Sequence, residues 1–274
     1  MGGYFALLRP GNGVVAAVAV VAGAIAGAGP EAVTGPRQLL VAAAAASAFI
    51  FIGAGNSLND YFDREIDRTA HPTRPIPSGR VKPESARAVA VALFAASMGL
   101  ALYISLQALV LVATSAAVMI LYELRLKNLG LPGNVAIGYL SGITFYFGGF
   151  IMGHPREMVP LFVLAVVATM GREIAKDIQD KDADKGRETY PQTAGPERAA
   201  RLSAACTVAA VLLGPLPFLL GDLGWVYALV ALPAYATFIY AAYVVRRDPA
   251  KSQRLSKVGM ALATLAFAVG GWFS

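Results

Sequence analysis

Apolar and polar positions along the chain fall into nine long hydrophobic runs separated by short polar segments, at about 12–29, 38–60, 86–104, 106–123, 132–152, 158–178, 199–219, 223–244 and 255–273. Each approaches the roughly 20 residues that a helix needs to cross a bilayer. The pattern predicts an all-α protein, a polytopic membrane bundle of nine transmembrane helices, with residues 1–274 forming a single domain. The first run follows Arg9 and ends in the small residues AGAIAGAG, ingredients shared with a secretory signal. Pro10, Gly11 and Asn12 have no place in such a signal, so the run is read as the first span. Glycines spaced by four, Gly23 with Gly27 and Gly138 with Gly142, predict close helix packing.

Charge tests the span count independently. With the N-terminus cytoplasmic, 21 of the 23 lysines and arginines fall in segments on that side, leaving Arg37 and Arg156 outside. This is the asymmetry that orients membrane proteins. It predicts a cytoplasmic N-terminus and an outside C-terminus. Composition agrees: 57% hydrophobic residues, 15% charged residues and a mean hydropathy of +0.58 exclude an ordinary soluble domain. The net charge of +6 is read as membrane orientation, and neither a nucleic acid nor an obligate protein partner is expected. Cys206 is the single cysteine, which excludes a disulfide framework and makes it a small packing residue.

Against this background, residues 56–87 (NSLNDYFDREIDRTAHPTRPIPSGRVKPESAR) crowd carboxylates and arginines at the end of the second run. Taken as helical through Asp67, at about 100° per residue, Asn59, Asp63 and Asp67 lie at about 0°, 40° and 80°, with Asp60 near 100°. A second cluster, GREIAKDIQDKDADKGRETYP, closes the sixth run, and the same geometry puts Glu173, Asp177, Asp180 and Asp184 on one face. Both clusters lie at the cytoplasmic side. Acidic residues at membrane depth are costly and usually functional. The arrangement predicts two parallel four-helix halves, spans 1–4 and 5–8, plus a ninth helix, around a central cavity open to the cytoplasm.

Clustered aspartates resist ionisation unless cations lie between them. Magnesium takes one or two carboxylates and shares its remaining shell with water and phosphate. Interleaved Arg64, Arg68, Arg74, Arg172, Lys176 and Lys181 are suited to phosphate oxygens. The sites together read as a magnesium–diphosphate centre. Arg68, Asp182, Lys185 and Glu188, at the edges, read as solvated anchors, as do His71 and His154. A transporter is the rival of another class, but transport sites favour the bilayer midplane and broken helices.

These residues resemble the UbiA-type intramembrane prenyltransferases. Asn59, Asp63 and Asp67 match the family's NxxxDxxxD motif, RPIPSG at 74–79 matches the stretch after it, and Asp180 and Asp184 match its DxxxD motif. NDYFDREIDR, LKNLGLPGN (126–134), RPGN (9–12) and GREIAKDIQD are most similar to the archaeal ether-lipid branch. The aromatic-acceptor pattern DxxYAxxDxxxD is not kept, since Glu173 and Lys176 replace its first Asp and its Tyr.

The resemblance implies geranylgeranyl transfer from its diphosphate to the hydroxyl of geranylgeranylglyceryl phosphate, within membrane lipid. An aromatic acceptor such as 4-hydroxybenzoate or homogentisate is the alternative. It implies two Mg²⁺ ions, one on Asn59, Asp63 and Asp67 and one on Asp180 and Asp184. Arg64, Arg74 and Lys127 are candidates for the diphosphate, and Lys176 and Lys181 for a phosphate. Asp60, Asp177 or Glu173 is expected to take the acceptor proton. Tyr122, Tyr139, Phe145 and Tyr146 are available to shield an allylic cation, and the loops 68–85 and 181–197 are expected to act as lids.

Overall fold

The computed structural model describes residues 2–181 and 188–274. Among them nine helices are long and apolar enough to cross a membrane: α1 (Pro10–Ala28), α2 (Gln38–Phe62), α3 (Pro83–Ile104), α4 (Leu106–Leu124), α5 (Leu131–Met152), α6 (Met158–Asp180), α7 (Pro196–Leu219), α8 (Trp225–Val244) and α9 (Pro249–Trp272). No strand accompanies them among the described residues. Helix ends follow the hydrophobic runs closely except at α9, which starts at Pro249 rather than near 255. The cause is local. The Asp248 side chain accepts a bond of 2.8 Å from the Lys251 backbone N–H, and Pro249 occupies the first turn, where its missing N–H costs nothing. Prolines also interrupt α7 after Leu213 and α8 after Val230.

Consecutive helices pack in chain order and α9 returns against α1, closing a ring. Across it, α1 lies along α5 and α9 along α6. Glycine permits the first of these crossings: a Cβ at Gly23 would collide with the Phe145 backbone, and one at Gly148 with that of Val20. Gly138 and Gly142 face Val166 and Phe162 of α6 in the same way, as the four-residue spacing predicts. One apolar core gathers Phe51, Phe94, Leu140 and Phe147, and a second gathers Phe145, Leu161, Tyr227 and Phe267. The outward faces carry exposed apolar side chains such as Leu39, Val91, Leu106 and Leu212, a surface suited to lipid.

Successive spans alternate in direction. The C-terminal ends of α2, α4 and α6 and the N-terminal ends of α1, α5 and α7 therefore share one end of the bundle. The segments that carry polar chemistry lie there: the helix Gly2–Leu8 before α1, the helix Arg64–Ala70 after α2, and the single turn Leu126–Asn128 between α4 and α5. Ile76 and Val81 of the proline-rich loop are buried against Leu7 and Ala86, so that loop is pinned to the N-terminal helix.

Candidate active site

The helix expected to run unbroken through Asp67 stops at Phe62 and resumes at Arg64, with Asp63 between them at φ −85° and ψ 3°. Hydrogen bonding nonetheless steps across, from the Asp63 N–H to Asn59 at 2.9 Å and from the Asp67 N–H to Asp63 at 2.8 Å. The small kink preserves the shared face. It leaves Asp60 1%, Asp63 6% and Asp67 2% exposed, far below what unpaired carboxylates tolerate.

Each of these carboxylates meets a cation from a different segment. Arg9, which precedes α1 and has the left-handed φ of 47°, bonds to Asp60. Lys127, from the turn after α4, reaches Asp63 at 2.6 Å and Glu123 at 2.8 Å. Arg74, from the proline-rich loop, reaches Asp67 at 2.5 Å. Asn59 donates to Asp63 at 3.0 Å and to Glu123 at 3.1 Å, which ties α2 to α4. Gly130 turns the chain into α5 with φ 66°, and a Cβ there would meet the Tyr190 backbone N at 3.0 Å. Four residues later Asn134 donates to Asp177 of α6 at 3.1 Å. The segment 125–134 thus touches both acidic clusters.

In the second cluster Arg172 pairs with its neighbour Glu173, and Lys176 lies 3.1 Å from Asp180. Lys176 is within electrostatic reach of Glu173, Asp177 and Asp180 together. Lys181 is half-buried and its backbone carbonyl accepts from Gln192 at 3.3 Å. Asp184, like Asp182 and Lys185, lies outside the described residues. Arg64 turns back on the end of α2, bonding to the Tyr61 carbonyl at 2.7 Å and lying over the Tyr61 ring. Tyr122 and Tyr139 pack at the edge of the first apolar core, and Phe145 stacks edge-on against Phe267 in the second.

The chain matches the model of the UbiA prenyltransferase family over residues 15–269. It belongs to that family. Among relatives, it is 41% identical over 273 residues to digeranylgeranylglyceryl phosphate synthase of Methanopyrus kandleri, covering 97% of this chain and 98% of that one. It is 40% identical to the synonymous enzyme of Natronomonas pharaonis, covering 98% and 96%. A solved structure of digeranylgeranylglyceryl phosphate synthase in membranes superimposes with a TM-score of 0.83 at 30% identity, covering 100% and 99%. A UbiA homologue from Archaeoglobus fulgidus bound to GPP and Mg²⁺ shares the fold, with a TM-score of 0.80 at 18% identity and coverage of 99% and 100%.

The donor set of this UbiA chain fits a hard cation. Its acidic atoms are all oxygens, and Asp60 Oδ2 is buried with no hydrogen-bond partner among the described residues. Among the described residues no group of three or more such side chains converges into a metal cage. That is compatible with magnesium, which completes its shell with water and phosphate.

Three residues of this network carry no role in the sequence reading. Arg9 and Asn134 lie within stretches already singled out, but side chains remote in sequence give them their contacts. Glu123 is the larger omission. A buried glutamate closing an apolar span, four residues before a lysine, is a signal that charge patterning makes available.

Proposed function

We propose that the chain transfers a geranylgeranyl group from geranylgeranyl diphosphate to the hydroxyl of geranylgeranylglyceryl phosphate, forming digeranylgeranylglyceryl phosphate and releasing diphosphate. The observation that carries the reading is the set of three buried carboxylates, Asp60, Asp63 and Asp67, each matched to a cation from a separate segment. Such a net positions cations and anions in a low-dielectric site before substrate arrives, which is where electrostatic preorganisation acts most strongly. Relatives near 40% identity along almost the whole chain bear the corresponding name, which supports the acceptor assignment.

In this reading Asn59, Asp63 and Asp67 hold one magnesium ion, and Asp180 and Asp184 hold a second. The ions supply neutralisation of the charge that builds on the departing diphosphate. Lys127 and Arg74 face the diphosphate oxygens, Arg64 reaches them only on leaving the Tyr61 carbonyl, and Lys176 and Lys181 meet the phosphate of the acceptor. Lys127 is held by Glu123 as well as Asp63, so its ammonium is fixed in place and its chain entropy is already spent. One of Asp60, Asp177 and Glu173 accepts the hydroxyl proton as the oxygen attacks C1 of the prenyl group. Asp60 is paired with Arg9 and Glu173 with Arg172, which fixes where each carboxylate stands.

The proposal includes a cytoplasmic N-terminus, an outside C-terminus and an active site in a central cavity facing the cytoplasm. It also includes two four-helix halves plus α9 within one domain. The distribution of lysine and arginine supports the orientation.

The direct test incubates purified protein, Mg²⁺ and geranylgeranyl diphosphate with geranylgeranylglyceryl phosphate, 4-hydroxybenzoate or homogentisate, and identifies products by mass spectrometry. The prenylated glyceryl phosphate is expected. Product from an aromatic acceptor alone would overturn the acceptor, and no diphosphate release with any acceptor would overturn the reaction.

A further inference from the structure

The polar end of the bundle carries both ion-paired cations and cations with no described carboxylate in reach, among the latter Arg80, Lys82 and Arg125 as well as three arginines that share one groove. Arg9, Arg74, Lys127, Arg172 and Lys176 each have a carboxylate within ion-pair distance. Arg201, Arg246 and Arg247 have none among the described residues, although all three line one groove of ≈ 480 Å³ with Ala204, Ala242 and Tyr243. The groove lies between the start of α7 and the end of α8, which pack against each other. None of its lining residues belongs to α2, α4, α5 or α6, so it is separate from the site described above.

Among the described residues, the carboxylates adjacent to these arginines in the chain do not pair with them. Asp248 follows Arg247 directly, but its carboxylate caps the backbone of α9 through Lys251. Glu197, one turn before Arg201, is exposed and forms no ion pair with it. The depth of the groove is marked by two tyrosines of α8. Tyr243 is 68% exposed with the Arg247 guanidinium over its ring, and Tyr240 is 44% exposed with the Lys251 ammonium over its ring. Exposed tyrosines on spanning helices occupy the headgroup level of a bilayer.

We infer that this groove binds the headgroup of an anionic membrane lipid bearing a terminal phosphate monoester. A monoester presents three terminal oxygens and between one and two negative charges at neutral pH, matching three guanidiniums that offer paired N–H donors. A diester offers only two free oxygens and a single charge. The half-buried floor of Ala204 and Ala242 lets the phosphate approach closely, and the lipid chains run down the crease between α7 and α8. Basic pockets between spanning helices at headgroup level hold acidic lipids in this manner.

The experiment is native mass spectrometry of the full chain, released from micelles containing equal amounts of dioleoyl phosphatidate, phosphatidylglycerol and phosphatidylcholine. Binding is read without turnover, and because the proposed acceptor is itself a lipid phosphate monoester, Lys176→Gln is run alongside. Loss in that variant instead of in the groove variant would place the lipid in the active site and overturn the groove. Wild type is expected to retain phosphatidate preferentially. The triple variant R201Q/R246Q/R247Q is expected to bind it about 100-fold more weakly, while R68Q/K82Q/R125Q, which removes the same charge elsewhere, retains wild-type binding. If the first triple variant fails to fold, R246Q alone, with an unchanged unfolding temperature, is expected to lose about fivefold. Equal loss in both triple variants, no preference over phosphatidylglycerol, or wild-type retention in R246Q would overturn the site. Displacement of phosphatidate by excess inorganic phosphate would overturn the lipid assignment.

Discussion

The ammonium of Lys127 stands 2.6 Å from Asp63, a residue 64 positions earlier in the chain. It is the contact that fastens the end of α2 to the turn between α4 and α5, and both side chains are only 8% exposed. Lys127→Met leaves Asp63 and Glu123 buried without their shared cation. Turnover is expected to fall about 100-fold, the scale of a lost preorganised donor. Stability should fall by roughly 3 kcal/mol, as for a broken buried pair. Steady-state kinetics and thermal unfolding in detergent check both, and added Mg²⁺ should raise the variant's unfolding temperature more than wild type's.

Asp63→Asn and Asp180→Asn are each expected to abolish transfer while the protein remains folded by circular dichroism and gel filtration. Asparagine is nearly isosteric and still accepts from neighbouring donors, but it lacks the charge that holds a divalent cation. Near wild-type rates in either variant would remove that residue from the metal site.

Chelation by EDTA is expected to stop diphosphate release completely, and Mg²⁺ to restore it, because carboxylates repel the anionic leaving group and a bound cation is needed to neutralise it. Donor binding measured by calorimetry should weaken in parallel. Unchanged release in EDTA would exclude a metal from the reaction.

Lys176→Gln separates the two substrates. If its ammonium meets the acceptor phosphate, KM for the glyceryl phosphate rises about 10-fold, as expected on losing one charge-assisted contact, while KM for the prenyl diphosphate stays within error. A rise confined to the donor would reassign Lys176 to the diphosphate.

Gly23→Val tests the helix crossing that brings α1 against α5. The new side chain would have to displace the Phe145 backbone. Overpacking should cost about 1–3 kcal/mol, read as a lower unfolding temperature, whereas Gly11→Val, at a position with open space around it, should be neutral.

Residues 1–274 determine the number and position of the spans by themselves, because a bilayer accepts only backbones that satisfy their own hydrogen bonds, and a run of about 20 apolar residues is the sign of that. The spacing of Asn59, Asp63 and Asp67 is also decided locally, and it survives the kink at Asp63 because the i to i+4 bonding persists. Gly23 and Gly142 likewise announce close packing through small-residue spacing alone.

Pairing is what only the tertiary structure decided. Nothing within residues 56–87 indicates that Asp60 will meet Arg9 or that Asp63 will meet Lys127, since these partners are brought together by the closure of the helix ring. Glu123 becomes visible as a member of the network only once Asn59 is found to donate to it from another helix. Arg64, adjacent to Asp63 in the chain, points back to Tyr61 instead. The reason is physical: helical periodicity fixes which face a side chain occupies, whereas the counter-charge that makes its burial affordable is chosen by which helices pack together.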